Sequence, residues 1–230
     1  MRSSANQLYL AATFALSLSG YASHSSAQEI QVIGAKDGPA PAVILISGAS
    51  GTARYQDYGR AVSELGYTAV FVSGNDISNQ PGASAENFQK VLAALRTDSR
   101  VKPGKVAVIG FSLGGGGALL HATNQPEAVA SVAAYYPAVT RFPSIQDAAR
   151  KVAVPTLILA GAKDRFNNCC LIQSIREFET TAVAAKAQVS VTSYAEAEHG
   201  FNLNGPTYRA ADAADAWAQV QELLKRTLPK

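Results

Sequence analysis

Three residues of this chain have types and settings that could do nucleophilic chemistry together: Ser112, Asp164 and His199. The serine lies in Lys105-Val-Ala-Val-Ile-Gly110-Phe111-Ser112-Leu113-Gly114-Gly115-Gly116-Gly117, which reads as a strand, then Gly-x-Ser-x-Gly, then a helix. A serine on a sharp turn between strand and helix is held above the sheet as a nucleophile. Glycines two positions to either side relieve crowding where the chain nearly doubles back. The same turn aims the N–H of Leu113 and the helix N-terminus at a developing oxyanion. Small residues would equally suit a plain tight turn, so the serine needs partners.

The base follows by elimination. Of the three histidines, His24 falls in an N-terminal segment with leader chemistry, and His121 follows Ser112 by nine residues on the predicted helix. That separation is a rise of ~13 Å, too far for the serine hydroxyl. His199 remains, in Glu198-His199-Gly200-Phe201 after the strand-like Gln188–Tyr194. The acid is expected at another strand end, between serine and histidine in the chain. Asp164 satisfies this, closing Pro155-Thr-Leu-Ile-Leu-Ala-Gly161-Ala-Lys-Asp164, although an aspartate there could also simply form a turn. Its role would be to fix the imidazole tautomer and stabilise the imidazolium. Asp76 is the runner-up acid but precedes the serine; Glu196 and Glu198 are too close to His199 in sequence to orient it well. Ser47-Gly48-Ala49-Ser50-Gly51 is a less specific motif, from which the N–H of Ala49 is the expected second oxyanion donor.

The elements that must position these residues alternate along the chain. Ala42–Ile46, Thr68–Val72, Val106–Ile109, Val129–Ala134 and Thr156–Ala160 are short apolar runs of the kind found in a central parallel sheet. Gln31–Ile33 and Gln188–Tyr194 read as further strands; the latter alternates, as an edge or less buried strand does. Helical segments lie between: Tyr55–Leu65 ending at Gly66, a helix capped by Ser84 and running to Leu95, Leu113–Asn124, Cys169–Ala185 and Tyr208–Arg226. Strict alternation predicts an α/β fold of three layers, helices covering both faces of a mostly parallel sheet. No linker or repeat divides residues 28–230, which predicts a single domain.

Composition narrows the function classes. The chain is 47% apolar and 16% charged with a formal net charge of +3, and no basic cluster makes an electrostatic case for nucleic acid. Arg2, the apolar run Leu8–Leu18 and the small residues ending in Ser25-Ser26-Ala27 describe a secretory signal peptide, residues 1–27. Cleavage is expected after Ala27, with Ala22 as the alternative site; an amphipathic N-terminal helix is the competing reading. The run is too short for a membrane span, which needs ~20 apolar residues. The protein is therefore expected in the periplasm or outside the cell. Its only cysteines are adjacent, Cys169 and Cys170. Neighbouring Cα atoms sit ~3.8 Å apart, below the ~4.4–6.8 Å of ordinary disulfides. Two small buried residues are therefore preferred over a vicinal or an intermolecular disulfide. With no further cysteine and few histidines, a structural zinc site is not expected.

At this point the pattern resembles the dienelactone hydrolase family of the α/β-hydrolase fold. The likeness rests on Pro41-Ala-Val-Ile-Leu-Ile-Ser-Gly-Ala-Ser-Gly, Gln56-Asp57-Tyr58, Leu65-Gly66-Tyr67, Gly110-Phe-Ser-Leu-Gly-Gly, Gly161-Ala-Lys-Asp164 and Glu198-His-Gly-Phe, in that order. The resemblance implies a nucleophile–Asp–His triad, here Ser112, Asp164 and His199. Two departures stand out: serine replaces the cysteine of the name-giving enzymes, and Ser47-Gly48 stands where relatives often have His-Gly. The expected activity is hydrolysis of a small-molecule ester or lactone through an acyl-enzyme, with no metal or organic cofactor. Ala138–Val154 is too short for a cap domain, so a shallow pocket is expected, walled by Tyr135, Tyr136, Arg141 and Phe166. A catalytically silent binding protein on the same scaffold, or an acyltransferase or peptidase, are the alternatives.

Overall fold

The computed structural model describes residues 30–78 and 82–230; the expected leader, residues 1–27, lies outside them. Seven strands form one sheet: β1 (Gln31–Ile33), β2 (Ala42–Ile46), β3 (Thr68–Val72), β4 (Val106–Phe111), β5 (Val129–Tyr135), β6 (Thr156–Gly161) and β7 (Val189–Tyr194). Their order across the sheet is β1-β3-β2-β4-β5-β6-β7. Only β1 pairs antiparallel, Val32 opposite Val70; every other neighbour is parallel.

The parallel strands read as unbroken apolar runs because both of their faces are covered. Along β2, Ala42, Ile44 and Ile46 pack into one core, while Val43 and Leu45 pack into the other. Helices α3 (Ala83–Leu95), α4 (Leu113–His121) and α6 (Ile172–Ala184) cover the first face with Phe88, Leu119 and Phe178. Helices α1 (Gln56–Glu64) and α7 (Ala210–Thr227) cover the second with Val62, Val220 and Leu224. Strand β7, at the edge, keeps only Tyr194 buried, in line with its alternating sequence. The result is the three-layer α/β architecture that alternation requires.

The structure differs from the sequence reading at several boundaries. Helix α3 starts at Ala83 after Gly82, at φ 88°, and Ser84 is buried inside the first turn instead of capping it. Two short helices were not anticipated, α2 (Gly74–Ser78) and α5 (Ile145–Arg150). The segment Cys169–Leu171 stays outside α6, which begins at Ile172. Gly66 does end α1, with φ 84°, a conformation that strains any residue carrying a Cβ.

Candidate active site

Ser112 occupies the single residue between β4 and α4, at φ 53° and ψ −115°. Non-glycine residues rarely adopt this region, and they persist there only when their surroundings hold them. Here the Ser112 N–H donates to Tyr135 O at 3.0 Å, and Ser112 O accepts from Gly116 N at 2.9 Å and Ala138 N at 3.0 Å. The flanking glycines are steric necessities. A Cβ at Gly110 would stand 2.4 Å from Gly114 O, and one at Gly114 would stand 2.3 Å from Ser47 O.

His199 and Asp164 meet the serine from neighbouring strand ends. Asp164 follows β6 and His199 follows β7, so the C-terminal edge of the sheet brings together residues distant in sequence. His199 Nε2 lies 3.0 Å from Ser112 Oγ, and Nδ1 lies 2.7 Å from Asp164 Oδ2. The Asp164 side chain is fully buried, and its other oxygen accepts from Phe166 N at 3.0 Å. Both carboxylate oxygens are thus committed, and a hydrogen on Nδ1 would leave Nε2 an acceptor toward Ser112 Oγ. Asp76 sits on α2, and its carbonyl accepts from Asn87 Nδ2; the acid bonded to His199 is Asp164.

The loop after β2 supplies the facing wall. Gly48 N–H donates to the hydroxyl of buried Tyr55 at 3.1 Å, so that donor is already used. Ala49 and Ser50 line the same cavity as Ser112 and His199. Leu113 begins α4, and first-turn N–H groups have no carbonyl one turn back. Of the two expected oxyanion donors, Leu113 thus follows the serine directly at the helix start, and Ala49 lines its cavity. Ser47 serves the loop itself: its hydroxyl accepts from Gly74 N at 3.1 Å.

The cavity encloses about 320 Å³ and is also lined by Arg54, Tyr136, Phe166, Leu203 and Thr207. Of the four expected wall residues, Tyr136 and Phe166 face it. Tyr135 is instead wholly buried, stacked on Phe111 with centroids 5.1 Å apart, and Arg141 is not part of the lining. Burial pushes the Tyr136 phenol well above its ordinary value, so it remains protonated, and its hydroxyl has no partner among the described residues. Tyr55 and Arg54 were not singled out from sequence. Only the fold returns the Thr52–Tyr55 turn to Gly48.

Cys169 and Cys170 are buried, as expected, but they are not free thiols: they are bonded to each other. The usual Cα separation holds for cysteines that approach from separate segments, and a vicinal pair closes a small ring that this rule does not cover.

A family model described as the dienelactone hydrolase family matches residues 74–228, a span that holds Ser112, Asp164 and His199. This chain belongs to the dienelactone hydrolase family. A Yersinia pestis protein named for carboxymethylenebutenolidase activity is 29% identical over 212 residues, covering 80% of this chain and 77% of its own. Among solved structures, a protein named for dienelactone hydrolase from Klebsiella pneumoniae superposes with a TM-score of 0.71 at 20% identity. It covers 86% of this chain and 99% of its own. A dienelactone hydrolase-like promiscuous phosphotriesterase from metagenomic libraries gives 0.67 at 18%, covering 87% and 99%. Likenesses at such identities speak for the fold, and the family match makes this dienelactone hydrolase family member a hydrolase of the α/β-hydrolase type. The match starts at Gly74, so the Ser47–Gly51 loop lies outside it. Among the described residues, no helix is long and apolar enough to cross a membrane.

Proposed function

We propose that this chain hydrolyses small carboxylic esters or lactones, with Ser112 as nucleophile, His199 as general base and acid, and Asp164 as the group that orients it. The observation that carries the reading is the line of hydrogen bonds from Ser112 Oγ through His199 to buried Asp164, opening on a cavity of about 320 Å³. Nε2 takes the hydroxyl proton as Oγ attacks the carbonyl, and the N–H groups of Leu113 and Ala49 receive the oxyanion. The imidazolium then protonates the leaving alkoxide, and water, deprotonated by the same nitrogen, releases the acid. A cavity of this size suits a compact acyl group. Tyr136 forms part of its wall.

A fluorophosphonate probe and a panel of short-chain esters, long-chain esters and lactones test the proposal. Labelling should fall on Ser112 and vanish in Ser112→Ala, together with turnover of the preferred substrate class. Folded wild-type protein that neither labels nor turns over any of the panel would instead be a binding protein on a hydrolase scaffold. Export belongs to the same proposal: residues 1–27 act as a cleaved leader, and the enzyme works where disulfides persist.

A further inference from the structure

The loop from Asp164 to Cys170 carries more than the acid. Phe166 stacks on the His199 ring, and the backbone then turns through Asn167 and Asn168, at φ 47° and 52°, into the cysteine pair. Thr140 Oγ1 holds that turn by donating to the carbonyls of Asn168 and Cys169, each at 2.7 Å. The two sulfurs and a ring nitrogen of His199 all lie within 4.8 Å of one another. A disulfide between distant residues stabilises by closing a long loop in the unfolded chain; one between sequence neighbours closes almost none. Its position against His199 is thus its distinguishing property.

Zinc bonds of ~2.3 Å to sulfur and ~2.0 Å to nitrogen place tetrahedral ligands roughly 3.5–3.8 Å apart. Three donors within 4.8 Å reach that spacing by shifts on the order of 1 Å. While the sulfurs are bonded to each other they are poor ligands; as thiolates they select thiophilic cations. We propose that Cys169, Cys170 and His199 form a latent soft-metal site, opened by reduction of the disulfide, through which a cation such as Zn²⁺ switches the hydrolase off.

The chemistry balances with a dithiol as reductant. Its two thiols close to a cyclic disulfide, the Cys169–Cys170 bond breaks, and two electrons and two protons leave both cysteines as thiols. Zn²⁺ then binds two thiolates and neutral His199, releasing the two thiol protons to solvent. If Nε2 binds the metal it cannot accept the Ser112 proton, and if Nδ1 binds it the neutral ring carries its hydrogen on Nε2, so inhibition follows from either ligation. Oxidising and reducing compartments would hold the chain in opposite states. This inference rests on His199 being the base, but metal binding can be read without turnover.

The test uses the full chain in both redox states, with Co²⁺ as spectroscopic probe and Zn²⁺ as inhibitor. After dithiol treatment and anaerobic desalting, two thiols should titrate in folded protein. One equivalent of Co²⁺ should then give thiolate-to-metal charge-transfer bands and tetrahedral visible bands, both absent from the oxidised protein. One equivalent of Zn²⁺ should lower hydrolysis by the reduced chain about 100-fold or more, the scale of losing a general base, and a chelator should restore it. The oxidised chain and Cys169→Ser/Cys170→Ser should ignore the same Zn²⁺. Thiols that cannot be generated in folded protein, or Co²⁺ spectra without thiolate bands, would overturn the proposal. So would equal Zn²⁺ inhibition of oxidised wild type, which would place the metal on His199 without the cysteines. The wild-type spectra in two redox states need no variant to fold. A chain that fails to label with fluorophosphonate in either state speaks against the hydrolase reading, separately from the metal spectra.

Discussion

The ring of Phe166 lies nearly parallel to the imidazole of His199, with centroids 4.5 Å apart and planes 14° from one another. Tyr136 approaches the same imidazole at 4.6 Å and 58°. His199 is thus held by two aromatic faces as well as by Asp164. Phe166 is otherwise half exposed. An aromatic pair is worth ~0.5–1.5 kcal/mol beyond burial, so Phe166→Ala should lower kcat about 3- to 10-fold. Phe166→Tyr should keep most of the rate. Steady-state kinetics check this, and a Phe166→Ala enzyme with unchanged kcat would mean that the stack does not position the base.

The proposed roles of Ser112, His199 and Asp164 predict strong non-additivity. Ser112→Ala and His199→Ala should each cost ~10⁴-fold or more in kcat, and the double variant should be little worse than either. Asp164→Asn should cost up to ~10⁴-fold by disfavouring the useful tautomer. Asp76→Ala should leave kcat near wild type, since Asp164 and not Asp76 holds Nδ1 of His199. Loss of activity in Asp76→Ala with retention in Asp164→Ala would reverse the acid assignment.

Much of this site was legible because its residues stand at the ends of buried strands. Ser112, Asp164 and His199 follow β4, β6 and β7, whose C-terminal ends lie on one side of the sheet because β4, β5, β6 and β7 all pair in parallel. Continuous apolar runs marked β4 and β6, alternation marked β7, and Gly110 and Gly114 marked the turn. Short helices were harder to see, since five residues in α2 and six in α5 hold too little periodicity. A signal did exist for α5: Ser144 accepts from Asp147 N at 3.1 Å, a cap readable as Ser-x-x-Asp. The contact between the cysteine pair and His199 has no local signature at all, because it arises from two loops meeting at the sheet edge.

Two glycines of α4 should respond differently to the same substitution. A Cβ at Gly114 would sit 2.3 Å from Ser47 O and 2.4 Å from Ile46 O, both backbone atoms that cannot step aside. Gly114→Ala should therefore destabilise by ~1–3 kcal/mol, the cost of overpacking, and lower kcat by displacing the loop of Ala49. At Gly116 the nearest atoms are 3.4 Å away, and helix propensity favours alanine by up to ~1 kcal/mol. Gly116→Ala should be neutral or stabilising. Thermal unfolding separates them, at about 2–4 °C per kcal/mol for a chain of this size.

Processing of the N-terminus gives a direct mass measurement. Protein recovered from its native host should begin at Gln28, or at Ser23 if cleavage follows Ala22. An intact Met1 on the active protein would remove the leader proposal and, with it, the argument that the cysteine pair matures in an oxidising compartment.

A final prediction concerns His121, which ends α4 and takes no part in the proposed chemistry. Burial disfavours its charged form and holds its imidazole below the ordinary value. Above ~6.5, the value of a free imidazole, the folded and unfolded states both keep it neutral and it leaves stability unchanged. As pH falls below ~6.5 the unfolded chain takes up a proton that the folded chain still refuses, so unfolding becomes easier. The loss grows until pH passes the lowered folded value, then levels off. Denaturant unfolding of wild type and His121→Gln at about pH 8 and about pH 5.5 isolates this contribution. The stability difference between the two should move in favour of His121→Gln at the lower pH. A difference that stays the same at both values would show that His121 titrates alike in the folded and unfolded chains.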